Sequence, residues 1–124
     1  MIKNIVFFLA FLLGLSACGT GVDDILGKTL TIYSVDSPAT KEHNSEVSVT
    51  AKAVSTGGIG DSDLEWSWEQ KDGHGIRNTS QEQVGHSSTF RFTTPDEHGD
   101  IRIRVTVKGR GESDSSEFTI HVYE

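Results

Sequence analysis

Apolar and polar side chains alternate along most of the chain beyond residue 29. Successive side chains of a β-strand point to opposite faces of a sheet, so a period of two predicts half-buried strands. The alternating segments are 30–35, 47–53, 64–69, 90–93, 101–108 and 118–123. None of them has an apolar face at helical spacing, and the alternation suits antiparallel sheets with one solvated face. The predicted fold class is therefore all-β.

Turn-forming residues separate these segments. Clusters rich in glycine and aspartate occur at 56–61, 71–75, 95–99 and 109–113. Short strands joined by such turns indicate an antiparallel sandwich of two sheets. The segment 70–88 has no sustained alternation, and we expect one or two short edge strands there, around 81–84.

The first 18 residues follow a different pattern. Lys3 precedes an apolar run at 5–15, which is followed by the small residues Ser16 and Ala17. This order is typical of a secretory signal peptide. The run is too short for a transmembrane helix, which needs about 20 apolar residues. We predict a signal peptide at 1–17, a tether at 18–28 and a single domain at 29–124.

The sequence Leu15-Ser16-Ala17-Cys18 resembles the lipobox of bacterial lipoproteins. The resemblance implies that Cys18 is diacylated on sulfur, becomes the mature N-terminus and is acylated on nitrogen. It implies a lipid-anchored protein of the cell envelope, whose membrane contact is the lipid. Gly19 follows in place of aspartate, which implies the outer membrane if the host has two. Two or three acyl chains give stable anchoring, whereas one chain is marginal.

The net charge limits the classes of partner, and the cysteine content limits the cross-links within the domain. The net charge is −7, and loss of Lys3 with the signal peptide changes it to −8. An acidic chain does not favour phosphate backbones, so we expect no nucleic-acid partner. Cys18 is the only cysteine, so the domain contains no disulfide. We expect a monomer held together by packing alone.

The order of the predicted strands over residues 29–124 resembles the immunoglobulin-like β-sandwich. The run 97–103 is similar to the Asp-Ser-Gly-x-Tyr-x-Cys run of that family, with Ile101 replacing the tyrosine and Ile103 the cysteine. The resemblance places Val49 at the position of the family's other cysteine, which lies on its strand B. The run 68–73 also resembles the Trp-Asp-Phe-Gly-Asp-Gly run of the PKD subgroup.

Two tryptophans lie on the third predicted strand. Trp66 or Trp68 matches the core tryptophan of the immunoglobulin-like family. Both point to the same face as Leu64, so we expect both in the core, with a glycan-stacking platform as the alternative.

The outward charges of two strands are opposite in sign. In immunoglobulin-like folds the strands at 64–69 and 101–108 are antiparallel neighbours, which implies ion pairs between them. Glu65 and Glu69 would pair with basic residues among Arg102, Arg104 and Lys108. The alternative is a basic stripe that binds a ligand.

Motifs for catalysis are absent from the sequence. It has no Gly-x-Ser-x-Gly, and its five histidines lack His-x-His and His-Glu-x-x-His spacing. We therefore expect no enzymatic activity, no zinc site and no cofactor. Calcium is the most plausible metal, because it takes clustered carboxylate oxygens, and the alternative is that these residues only form turns. The candidate ligands are Asp61, Asp63, Asp96 and Asp100.

These observations favour a non-enzymatic binding or scaffold module for a protein or glycan partner. The alternative is a lipoprotein inhibitor or immunity protein that blocks a hydrolase or toxin with segment 55–62 or 70–88. Loops on a rigid scaffold usually carry recognition. We expect the contacts on an edge strand and on loops 55–62 and 95–100 at one end, with the 70–75 turn nearby or opposite.

Overall fold

The structure, a computed structural model, describes residues 27–124, which form two four-stranded sheets. The strands are β1 (Thr29–Asp36), β2 (Thr40–Glu42), β3 (Glu46–Thr56), β4 (Glu65–Asp72), β5 (Arg77–Val84), β6 (Ser87–Thr93), β7 (Gly99–Gly109) and β8 (Glu112–Tyr123). The sheet orders are β1-β3-β6-β5 and β2-β8-β7-β4. The prediction of an all-β, immunoglobulin-like sandwich is confirmed. The predicted signal peptide, Cys18 and the tether as far as residue 26 lie outside the described residues.

Two buried clusters fill the space between the sheets. In the first, Trp66 lies with Ala51 and Ala53 of β3, and such large and small neighbours fill a core without voids. The second is built around Phe92, which is 1% exposed. The first cluster comprises Leu30, Ala51, Ala53, Ile59, Leu64, Trp66, Val105 and Val107, and the second Val47, Val49, Phe90, Phe92, Ile101, Ile103, Ile120 and Val122.

The positions matched to the family's two cysteines belong to the same buried cluster. Val49 and Ile103 are both 0% exposed and belong to the second cluster. Aliphatic packing therefore occupies the place that a disulfide holds in other immunoglobulin-like domains.

Two strands differ from the sequence prediction because neither carries an apolar alternation. β2 has only three residues and pairs with β8 in parallel, through its backbone. The buried Thr94 hydroxyl donates to the Glu42 carbonyl at 2.8 Å and so fixes the end of this strand. β5 is longer than expected, and all eight of its residues are exposed.

The outward charges of β4 and β7 are in register, but the predicted ion pairs do not form. Glu69 lies opposite Arg104. The guanidinium of Arg104 instead donates to Glu117 of β8, at 2.6 Å and 2.9 Å. That hydrogen bond lowers the pKa of the Glu117 carboxyl below its ordinary value. Arg102 also pairs with Glu117, at 3.6 Å, so two basic residues of β7 share one carboxylate of their own sheet.

Loops 55–62 and 95–100 lie at opposite ends of the sandwich, which corrects the expectation that they share one end. Loop 55–62 follows Thr56, the last residue of β3. The first residue of β3, Glu46, pairs with Thr93, which precedes loop 95–100. β3 has eleven residues, so the ends are about 33 Å apart. The turn after β4 lies at the same end as loop 95–100, where the His74 imidazole pairs with Glu97 at 2.7 Å.

The chain enters the sandwich at the end that contains loop 55–62, which we call the entry end; the opposite end is the far end. The Thr56 hydroxyl donates to the Gly27 carbonyl. Gly57 has a φ of +78°, and a Cβ there would lie 2.6 Å from the Cα of Lys28. Only glycine fits both the backbone angle and the close approach.

Among residues 27–124, no helix is long and apolar enough to cross a bilayer.

Candidate functional site

A groove opens between β4 and β5, the last strands of their respective sheets. Its volume is about 450 Å³. No lining residue carries a formal charge, although charged residues make up 23% of the chain. An uncharged groove of this kind suits a neutral group with an apolar side and hydrogen-bonding atoms. The lining residues are Trp68, Gln70, Ile76, Thr79, Ser80, Gln81 and Phe90.

Both faces of β5 are open to solvent. Gln81 and Gln83 pair with the buried residues Phe90 and Ser88, which places their side chains on the inward face of the sheet. They are nevertheless exposed, so the opposite sheet does not cover this face. The polar sequence of β5 suits such a position, because it has no apolar side chain to bury before Val84.

Trp68 forms the floor of the groove. Its indole stacks on Phe90, with ring centroids 5.0 Å apart and an interplanar angle of 9°. The indole N–H donates to Ser88 Oγ at 3.0 Å. The expectation that both tryptophans lie in the core holds for Trp66, whereas Trp68 is half-buried: it packs against both core clusters and leaves part of its surface open to the groove. Phe90 covers one face of the indole, and Phe118 packs edge-on with ring centroids 6.3 Å apart.

Two glutamine side chains form hydrogen bonds at the mouth of the groove. The Gln81 side-chain amide on β5 donates to the backbone carbonyl of Trp66 on β4 at 3.0 Å. Gln70 accepts from the Ile76 backbone N–H at 3.1 Å and donates to the His74 carbonyl at 2.6 Å. The Gln81 hydrogen bond therefore joins the two sheet edges, whereas the Gln70 hydrogen bonds hold the loop after β4.

A serine, a histidine and an aspartate meet at the entry end. His86 Nε2 lies 2.8 Å from Ser55 Oγ, and His86 Nδ1 contacts Asp61 Oδ1. The three residues come from β3, the loop after it and the turn between β5 and β6. No sequence motif joins them, which is why sequence reasoning did not find the cluster.

The surroundings of this cluster indicate a structural role. The Ser55 hydroxyl donates to the Ile59 carbonyl at 2.8 Å, and the Ile59 side chain is 5% exposed. A catalytic triad buries its aspartate behind the histidine, whereas here the Asp61 side chain is 59% exposed and the His86 side chain 29%. The cluster holds the loop over the core and keeps Ile59 inside it.

We expect Ser55 to resist acylating and phosphonylating reagents, because its hydroxyl donates to the Ile59 carbonyl, which competes with His86 for the same proton. Incubation with a fluorophosphonate should leave the intact mass unchanged, with an active serine hydrolase treated in parallel as the control. An adduct on Ser55 that disappears in a His86→Asn variant would show that the cluster is catalytic.

The four candidate calcium ligands lie in two separate places, each with a partner from the chain. Asp61 and Asp63 are at the entry end, and Asp96 and Asp100 are at the far end. A hydrogen bond from the Gly60 N–H, with help from Arg110, lowers the pKa of Asp63. Residues 27–124 contain no group of three or more His, Cys, Asp or Glu side chains placed to hold a metal ion. The pairs are Asp61 with His86, Asp63 with Arg110, Asp96 with Arg77, and Asp100 with His121.

Comparison with known proteins finds similarity in structure only. No family model matches the chain, and no curated protein matches it. Titin domain M7 is similar, with a TM-score of 0.59 and 15% identity, over 79% of this chain and 97% of that one. The N-terminal Ig1-2 module of the Drosophila receptor protein tyrosine phosphatase DLAR has a TM-score of 0.57 and 19% identity, over 77% of this chain and 50% of that one. A conjugative transposon lipoprotein from Bacteroides eggerthii has a TM-score of 0.56 and 14% identity, over 73% of this chain and 95% of that one.

These similarities establish the immunoglobulin-like fold. Identities of this size do not carry function, because one fold hosts many unrelated functions.

Proposed function

We propose that this chain is a lipid-anchored envelope protein whose immunoglobulin-like domain is a non-enzymatic binding module for a protein partner. The observation that carries the binding role is the uncharged groove between two free sheet edges. Free edges offer backbone N–H and C=O groups that a partner can pair with.

The lipid anchor rests on the sequence Leu15-Ser16-Ala17-Cys18. The similar structure from Bacteroides eggerthii is a lipoprotein, which supports the anchor. We place the protein in the cell envelope, in the outer membrane where the host has two.

An anchor at Cys18 would hold the domain by its entry end, where the chain enters the sandwich. From Cys18 to Thr29 the chain reaches at most about 40 Å, because an extended residue spans about 3.3–3.6 Å. The far end and the groove side then remain accessible to partners. The inhibitor alternative, with loop 55–62 as a plug, gains no support, because Ile59 holds that loop in the core.

We expect the mature protein, extracted from its native membrane, to begin at an acylated Cys18. Intact-mass measurement should show loss of residues 1–17 and addition of acyl groups. Cys18→Ser should remain an unacylated precursor. A wild-type protein without acyl mass would contradict the anchor and leave the binding role untouched.

The binding role has its own test. A photo-crosslinking residue at Thr79, which lines the groove, should give a discrete adduct with one protein in native membranes. The matched control is Ser48, an exposed residue on the outward face of β3, which should give none. Equal crosslinking from both positions, or from neither, would contradict a binding module that uses this side of the domain.

A further inference from the structure

We propose that the groove accepts an extended segment of the partner protein, which pairs with the free edge of β4 as an added strand. This inference rests on the proposed function and specifies how the site works. Three observations carry it: the direction of the β4 backbone groups, the Gln81 side chain, and the uncovered face of β5.

The backbone direction follows from one hydrogen bond. The Trp66 carbonyl accepts from Gln81, so it points away from β7 and toward the open side. Backbone groups of alternate residues point to the same edge of an antiparallel strand. The N–H and C=O groups of Trp68 and Gln70 therefore lie on the free edge as well, while those of Ser67 and Glu69 face β7.

The Gln81 side chain already occupies one of the hydrogen-bonding positions that an added strand would use on the free edge of β4. Its side-chain N–H meets the Trp66 carbonyl at 3.0 Å, as the backbone N–H of a paired strand would. Gln81 is exposed, so it can turn away when a real strand arrives.

The uncovered face of β5 provides the second wall. A strand on the edge of β4 lies opposite the inward side chains of β5, which have no cover in the domain itself. One apolar side chain of that strand fits above Trp68 and Phe90. The lining has no charge to neutralise, which favours a neutral segment over an acidic or basic one.

The test uses the full mature lipoprotein in detergent and a phage-displayed library of random twelve-residue peptides. Selected sequences are made as synthetic peptides and their affinities measured. We expect neutral peptides with alternating apolar residues. Thr79→Trp, which fills the groove, should abolish binding. Ser48→Trp, the same change on the outward face, should leave it unchanged.

Gln81→Ala should strengthen peptide binding roughly two- to tenfold, because an internal hydrogen bond no longer competes for the Trp66 carbonyl. A groove that bound peptides without strand pairing would lose affinity when this lining side chain is removed. Weaker binding by Gln81→Ala therefore contradicts strand addition.

Amide hydrogen exchange on the wild-type protein tests whether the peptide pairs with the edge of β4, even if Thr79→Trp does not fold. Bound peptide should slow exchange of the Trp68 and Gln70 N–H groups at least about tenfold. Ser67 and Glu69, which face β7, should change little. Three results would each overturn the proposal. The first is unchanged exchange at Trp68 and Gln70, and the second is peptide binding that survives in folded Thr79→Trp. The third is that the library yields no peptide while neutral oligosaccharides bind. Site-specific crosslinking at Thr79 would still stand as evidence for the binding module.

Discussion

Trp66→Ala should lower the free energy of unfolding by about 3–5 kcal/mol, the usual cost of removing a large aromatic side chain from a core. The indole is 8% exposed and lies between small residues of β3 and the valines of β7, which cannot collapse to fill the space. For a domain of this size the change lowers Tm by roughly 15 °C or more. Urea titration followed by circular dichroism measures the difference.

Two controls separate packing from other effects. Val84→Ala, at a residue that is 69% exposed, should change stability by no more than about 0.5 kcal/mol. Trp66→Phe keeps a ring in the core and removes the indole N–H, which is buried without a partner in the described part of the chain. It should therefore cost much less than alanine. A Trp66→Ala variant as stable as Val84→Ala would show that Trp66 does not fill the core.

Introducing cysteines at Val49 and Ile103 should recreate the inter-sheet disulfide that this chain lacks. The two residues are fully buried in one cluster. The bond closes a loop of about 55 residues, and the chain-entropy estimate for that length is about 4 kcal/mol. The oxidised form should therefore be about 3–4 kcal/mol more stable than the reduced form of the same variant.

Comparing the two redox forms of one protein cancels the cost of replacing Val49 and Ile103 with smaller side chains. Thiol titration and mass measurement report whether the bond forms, and denaturant titration with and without reductant gives its effect. Disulfides need Cα atoms about 4.4–6.8 Å apart. Two free thiols after mild oxidation would show that the matched positions are not neighbours.

The sequence by itself determined the strands that carry an alternating apolar face, and with them the core. The direction of a side chain alternates with each residue of a strand. A run such as 101–107 therefore predicts which residues face inward, whatever the position of the strand in its sheet. Ile101, Ile103, Val105 and Val107 are all buried for that reason. The same local rule fails for β2 and β5, which pair through their backbones and bury no alternating apolar face.

Only the tertiary structure decided which residues meet from distant parts of the chain. Arg104 prefers Glu117 to the facing Glu69, because the geometry of three adjacent strands selects between two carboxylates. Ser55 and His86 are 31 positions apart, and no spacing rule connects them. The groove likewise exists because β4 and β5 end their sheets on the same side, which is a property of strand order and not of either strand's sequence.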